Sequence, residues 1–164
     1  MNDPSQFNMF PFAAGAIRRL NEAKLPVIVV TNQSGVGRGF FSESMVHTVH
    51  ELMTQQLTAA GAHLTAIYYC PHTFDDDCHC RKPRPGLLHR AAREHAIDLS
   101  SSFVVGDRYG DVELAHGTGS RGVLVRTGYG EEDLRENSAG WPQQPDFVTD
   151  DLAAAVDWIL RQAK

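Results

Sequence analysis

The chain has 164 residues, 42% of them hydrophobic and 21% charged, which fits one globular domain with a sizeable core. Its net charge of −5 carries no basic run able to follow a phosphate backbone, which argues against nucleic-acid binding. No stretch approaches the roughly 20 apolar residues of a membrane span, and no signal peptide is visible, so a cytoplasmic protein that does not engage a membrane is expected.

Residues 1–11 have no period and read as an irregular lead-in. From Phe12 to Leu25 the apolar residues Phe12, Ala16, Ile17 and Leu20 share one helical face. PVIVVT (26–31) is a continuous β-branched run, the pattern of a strand buried on both faces of a parallel sheet. NQSGVGRGFF (32–41) then reads as a glycine-rich loop. Ser42 is a suitable N-cap for a helix with Met45, Val49, Leu52, Met53 and Leu57 inward and Gly61 as its stop. TAIYY (65–69) predicts a second strand that runs into the segment CPHTFDDDCHCRKPRPG (70–86).

Pro85-Gly86 opens a helix to about His95 that turns Leu87, Leu88 and Ala91 inward. SFVVG (102–106) is a third strand, a helix surrounds Val112–Ala115, and GVLVR (122–126) is a fourth strand. Residues 127–145 read as a surface loop, and DFVTD (146–150) as a short edge segment. A final helix over 151–162 buries Leu152, Val156, Ile159 and Leu160. Alternating strands and helices predict a three-layer α/β/α sandwich around a Rossmann-like parallel sheet, in a single domain over 1–164. Ligands of such folds bind beyond the carboxyl ends of the strands.

Cys70, His72, Cys78 and Cys80 form C-x-H-x5-C-x-C within eleven positions. Zn²⁺ prefers thiolate and imidazole donors, four of them in a closed structural site. The alternatives are free thiols, or a disulfide that would leave one of three cysteines over. His79 competes with His72 as fourth ligand, but lies awkwardly between two ligating cysteines. A closed site offers no position for water, so such a metal would hold the 70–80 loop rather than run a reaction.

Three strand ends carry further polar groups. Thr31 with Asn32, Gln33 and Ser34 offers hydroxyls and amides that can cradle a phosphate, or simply make a turn. Arg81 and Lys82 follow the last cysteine and suit oxyanions, or form a solvated basic pair. Asp107 and Asp111, in GDRYGD, suit Mg²⁺ or cap a helix.

Taken in order, VTNQSGVGRG, YYCPH…CHCRKPRPG, VVGDRYGD and LVRTG resemble motifs II to IV of the haloacid dehalogenase superfamily. Within it they are most similar to the D-glycero-D-manno-heptose-1,7-bisphosphate phosphatase family, and histidinol-phosphate phosphatases share the zinc loop. The resemblance implies a Mg²⁺-dependent phosphoric monoester hydrolase of a sugar phosphate. It gives Thr31 and Lys82 to the phosphoryl group, and Asn32, Gln33, Ser34, Arg81 and Arg108 to the substrate. Asp107 would bind Mg²⁺, Asp111 would support it from behind, and Cys70, His72, Cys78 and Cys80 would bind Zn²⁺.

One part of the pattern is absent. The family nucleophile lies in D-x-D-G-T after an earlier strand, and none of these 164 residues forms that motif. The expectation is an open place in the sheet between the strands ending at Thr31 and Gly106, and a chain inactive or severely impaired without the motif. A monomer is expected unless the missing strand promotes association. A zinc-stabilised phosphate-binding module without catalysis is the competing class.

Overall fold

The structure, a computed structural model, describes residues 4–162; residues 1–3 of the lead-in lie outside it. It is an α/β protein with parallel strands in two compact units, Met1–Arg81 and Lys82–Lys164.

In the first unit, α1 (Ala13–Glu22) buries Ala16 and Ile17 as their spacing predicts. It stops three residues before Leu25, because Lys24 turns into the left-handed region at φ 60°. The Lys24 and Leu25 amides then bond back to the carbonyls of Asn21 and Leu20, satisfying the helix end. Strand β1 (Ile28–Asn32) pairs in parallel with β2 (Ala66–Cys70), Thr31 opposite Tyr69 and Asn32 opposite Cys70. Every residue of β1 is half-buried rather than enclosed. Its sheet has two strands, and no strand but β2 pairs with it among the described residues.

The segment after β1 is not all loop. Ser34–Gly37 make one helical turn, α2, whose end is tied down by the Gly37 amide donating to the Pro71 carbonyl at 2.9 Å. Helix α3 (Glu43–Ala59) starts where Ser42 Oγ accepts the Met45 amide, and ends before Gly61 at φ 73°. Val46 and Leu57 are its buried residues; Met45, Val49, Leu52 and Met53 are only half-covered.

In the second unit, α4 (Gly86–His95) buries Leu87, Leu88 and Ala91. Strands β3 (Phe103–Gly106), β4 (Arg121–Val125) and β5 (Phe147–Thr149) form a parallel sheet in the order β3-β4-β5, which leaves β5 at an edge. Helix α5 (Tyr109–Gly117) connects β3 to β4. Val123, Val125 and Ala155 form a core cluster, with Val105, Phe147 and Trp158 packed on it. The Trp158 ring stacks on Phe147 at 4.9 Å and meets Phe103 edge-on. Helix α7 (Leu152–Gln162) supplies Ala155, Val156 and Ile159 to the interior; Leu152 and Leu160 are half-covered.

The stretch 127–145 departs most from expectation. It contains α6 (Gly130–Asn137) and a short 3₁₀ turn, Ser138–Gly140. Its acidic opening EED looks like solvated loop, yet Asp133 is buried. Asp133 accepts the Tyr109 amide at 2.7 Å and the Asn137 side-chain amide at 2.8 Å. An acid that satisfies the first amide of another helix has reason to face inward.

Candidate functional site

In the first unit the end of β2 delivers Cys70 into the interior, where it is fully buried. The backbone carbonyl of Cys70 accepts the Gln33 amide at 2.7 Å, which fixes the β1 end beside the cysteine loop. The thiols and His72 Nδ1 close on one another, all four atoms lying within 4.8 Å. Cys80 Sγ is 3.1 Å from Cys70 Sγ and 3.5 Å from Cys78 Sγ; Cys70 and Cys78 are 3.6 Å apart. His72 Nδ1 is 3.2 Å from Cys80 and 3.5 Å from Cys70.

These contacts exceed the roughly 2.05 Å of a disulfide, and all three cysteines are free. A tetrahedral ion with bonds of about 2.3 Å to sulfur has sulfur–sulfur edges of about 3.8 Å, so a small outward movement would seat it. His72 belongs to this cluster; His79 is outside it and exposed.

Without an ion, protons are unevenly held. Burial opposes ionisation of Cys78. Hydrogen bonds from the Cys80 thiol and from the Cys80 and Arg81 amides outweigh it, bringing Cys78 down to about 7. Burial, and then the neighbouring thiols, push Cys80 up to about 12, and burial raises Cys70. One ready thiolate with two protonated partners is a soft-donor set that a thiophilic cation would complete by displacing protons.

The loop tip has its own brace. Asp76 accepts both the amide and the hydroxyl of Thr73, the hydroxyl at 2.8 Å, and the amide bond first of all holds its carboxyl below the usual range. Arg81 donates to the His72 carbonyl at 3.4 Å, so the residue after the last cysteine is tied to the same loop. Gln33 Nε2 donates to Thr31 Oγ1 at 3.3 Å. A hydroxyl that already accepts has its proton left to donate, which suits Thr31 to an anion. Asn32 and Ser34 flank it, half-buried, at the end of β1 and the start of α2.

In the second unit Lys82 Nζ meets Asp111 Oδ1 at 2.7 Å, with Asp111 5% exposed. The other oxygen of Asp111 accepts the Arg108 amide at 3.3 Å. Asp111 therefore caps the start of α5 and orients the lysine at once. Gly106 is required there, since a Cβ would lie 2.2 Å from the Asp111 carboxylate.

Asp107 has a different support. Its Oδ2 accepts the Tyr129 amide at 3.0 Å, and Oδ1 accepts no hydrogen bond among the described residues. An anionic oxygen so placed is a suitable ligand for a hard cation. Gly128, at φ 68°, passes so close that a Cβ would lie 2.2 Å from Asp107 Oδ2. The Arg108 guanidinium lies over the Tyr129 ring, 3.8 Å from its centroid. Tyr129 and Asp133 carry no motif in the sequence; Gly128 closes LVRTG, but nothing in that segment marks it as lying against Asp107.

A family model for HAD-hydrolase-like proteins matches residues 79–155. The D-glycero-D-manno-heptose-1,7-bisphosphate 7-phosphatase of Thermosynechococcus vestitus is 41% identical over 92% of this chain and 82% of its own length. The D-glycero-beta-D-manno-heptose-1,7-bisphosphate 7-phosphatase of Pseudomonas aeruginosa is 38% identical, over 92% and 83%. The crystal structure of the D,D-heptose 1,7-bisphosphate phosphatase from B. bronchiseptica, complexed with magnesium and phosphate, matches with a TM-score of 0.90. It is 36% identical, over 99% of this chain and 89% of that one. The chain belongs to the heptose-1,7-bisphosphate 7-phosphatase family. This is a family of HAD-like phosphoric monoester hydrolases.

In that family setting the two clusters divide by chemistry. Soft donors gather in the first unit; an oriented lysine and hard carboxylates gather in the second. No helix among the described residues is long and apolar enough to cross a membrane.

Proposed function

We propose that this chain carries the phosphate-binding and metal-binding parts of a phosphatase for D-glycero-D-manno-heptose 1,7-bisphosphate, removing the 7-phosphate. The observation that carries the reading is Lys82, held at 2.7 Å by a buried carboxylate that also caps the backbone next to Asp107. A cation fixed by a buried partner in this way is preorganised for charge developing on a phosphoryl oxygen. The relatives' substrate supplies the rest of the assignment.

Asp107 would bind Mg²⁺ through the oxygen that Tyr129 does not hold. That ion would neutralise charge on the phosphoryl oxygens. On the family resemblance the Thr31 hydroxyl would serve phosphate from the first unit and the Lys82 ammonium from the second. Asn32, Gln33, Ser34, Arg81 and Arg108 contact the remainder of the sugar phosphate, and Asp111 orients Lys82. Cys70, His72, Cys78 and Cys80 would hold Zn²⁺, closing the loop that precedes Arg81. Three free thiols at a metal site suit a reducing compartment, so we place the protein in the cytoplasm.

Phosphoryl transfer in this superfamily also needs the aspartates of D-x-D-G-T, which these 164 residues do not contain. They are expected to bind phosphate with Mg²⁺ and not to turn over. Phosphate release from heptose bisphosphate and from histidinol phosphate would be measured for the 164-residue chain and for one extended by a D-x-D-G-T strand. Turnover of heptose bisphosphate only after extension supports the reading. Preference for histidinol phosphate overturns the substrate assignment, and binding without turnover in both forms favours a non-catalytic phosphate-binding module.

A further inference from the structure

The Arg108–Tyr129 stack is used neither by the motif pattern nor by the fold. Tyr129 is 54% exposed, so its ring is not there to fill a core. Its backbone amide holds Asp107, and its ring lies 3.8 Å under the guanidinium of the residue next to Asp107. One residue therefore touches two neighbouring groups of the proposed site, by two different parts of itself.

We propose that Tyr129 is a positioning residue for substrate phosphate: its ring holds the Arg108 guanidinium flat, with the N–H edge left to meet an anion. The inference rests on the reading that Arg108 faces substrate. An arginine carries a long flexible stem, and much rotamer freedom is lost when it grips a ligand. Stacking on an aromatic face restrains the plane while using none of the five N–H donors. A lysine gains less from such a platform, because its point charge has no plane to align. The pairing of an arginine at 108 with an aromatic ring at 129 thus acts as one device.

The arrangement also separates two roles. The amide of Tyr129 serves the carboxylate whatever the side chain is, so changing the ring leaves Asp107 supported. A purely structural role predicts that removing the ring lowers stability and leaves anion affinity alone. The positioning role predicts the reverse.

The test is an NMR titration of the 164-residue chain with inorganic phosphate in the presence of Mg²⁺, following the Arg108 Nε–H signal. In the parent chain the signal should shift saturably. Tyr129→Ala should weaken phosphate affinity roughly 2- to 5-fold, with an unchanged melting temperature. Tyr129→Phe should restore the parent affinity, because the ring and not the hydroxyl does the holding. Equal affinity for parent and Tyr129→Ala overturns the proposal while leaving the phosphatase reading intact. A parent chain whose Arg108 signal ignores phosphate overturns the proposal and the reading of Arg108 as a substrate contact, while Thr31, Lys82 and Asp107 keep theirs.

Discussion

The metal cluster of the first unit and the carboxylate network of the second solve the same problem, holding charged groups still, in opposite ways. Four donor atoms at 70–80 lie within eleven positions and need only a turn to meet. Lys82, Asp107, Asp111 and Tyr129 are spread over 48 positions and meet through strand ends and helix caps. The first arrangement depends on an ion; the second depends on the fold around it. Each can therefore be broken without the other, and that difference orders the tests.

The largest effect should come from stripping the metal. The chain should contain one zinc, measured by elemental analysis. Chelation or Cys70→Ser should then cost well over about 5 kcal/mol in the first unit, read as a lost or much lowered melting transition. If chelation leaves the melting curve unchanged, the cysteine cluster is only a set of buried thiols.

Asp111→Ala should come next. It takes the buried carboxylate away from Lys82, whose side chain is 19% exposed, and uncaps the Arg108 amide. Removing one member of a buried ion pair costs about 3–5 kcal/mol. Chemical denaturation should report this loss while zinc content stays at one per chain. A simultaneous loss of zinc would show that the two regions are not independent.

How much of this was visible beforehand follows the same division. The four-ligand cluster was readable because its spacing is local and its residue types are rare. Lys82, Asp107 and Asp111 were readable as residues, since strand ends and short motifs mark them. Their supports were not. Asp133 hides in an acidic run whose composition says solvent, and the amides of Tyr109 and the Asn137 side chain draw it inward. Gly128 closes LVRTG, yet its place against Asp107 shows only once the two are packed together. The same blindness turned α6 into a loop, because EEDLREN has too few apolar residues to show a buried face. Propensity and period report on a segment's own chemistry, and these residues are fixed by partners distant in sequence.

Gly128→Ala tests that lesson directly. An alanine at φ 68° costs about 1–2 kcal/mol from conformation alone, and its Cβ would collide with Asp107 Oδ2. Stability should fall modestly, while Mg²⁺-dependent phosphate affinity, measured by calorimetry, should fall more steeply than stability does. Unchanged phosphate affinity would remove Gly128 from the account of Asp107.

The smallest effect is the one that separates the regions by acidity. Without metal, Cys78 sits at about 7, below an ordinary thiol, so its stabilising contribution exists above the ordinary thiol range and is lost as pH falls through about 7. Metal binding moves that loss to lower pH without reversing its sign, since protons compete for the same sulfurs. In the second unit the acid limit is set elsewhere. Burial opposes ionisation of Asp146, but the His116 side chain at 2.9 Å and the Gly122 amide at 2.7 Å hold its carboxyl below the usual range. Its contribution is complete above the ordinary Asp pKa of about 3.9 and is lost as pH falls from there through its lowered folded value. Because the Asp146 side chain is 35% exposed, screening limits the contribution to about 0.5–1 kcal/mol. On acidification zinc should leave as protons take the sulfurs, and the Asp146 contribution should be lost separately, below the ordinary Asp pKa of about 3.9. Urea melts from pH 6 to 3 should show Asp146→Asn less stable at the upper end, with the gap to the parent narrowing toward the lower. If the two curves stay parallel across that range, the Asp146 carboxylate is not what ties β4 to β5 against acid.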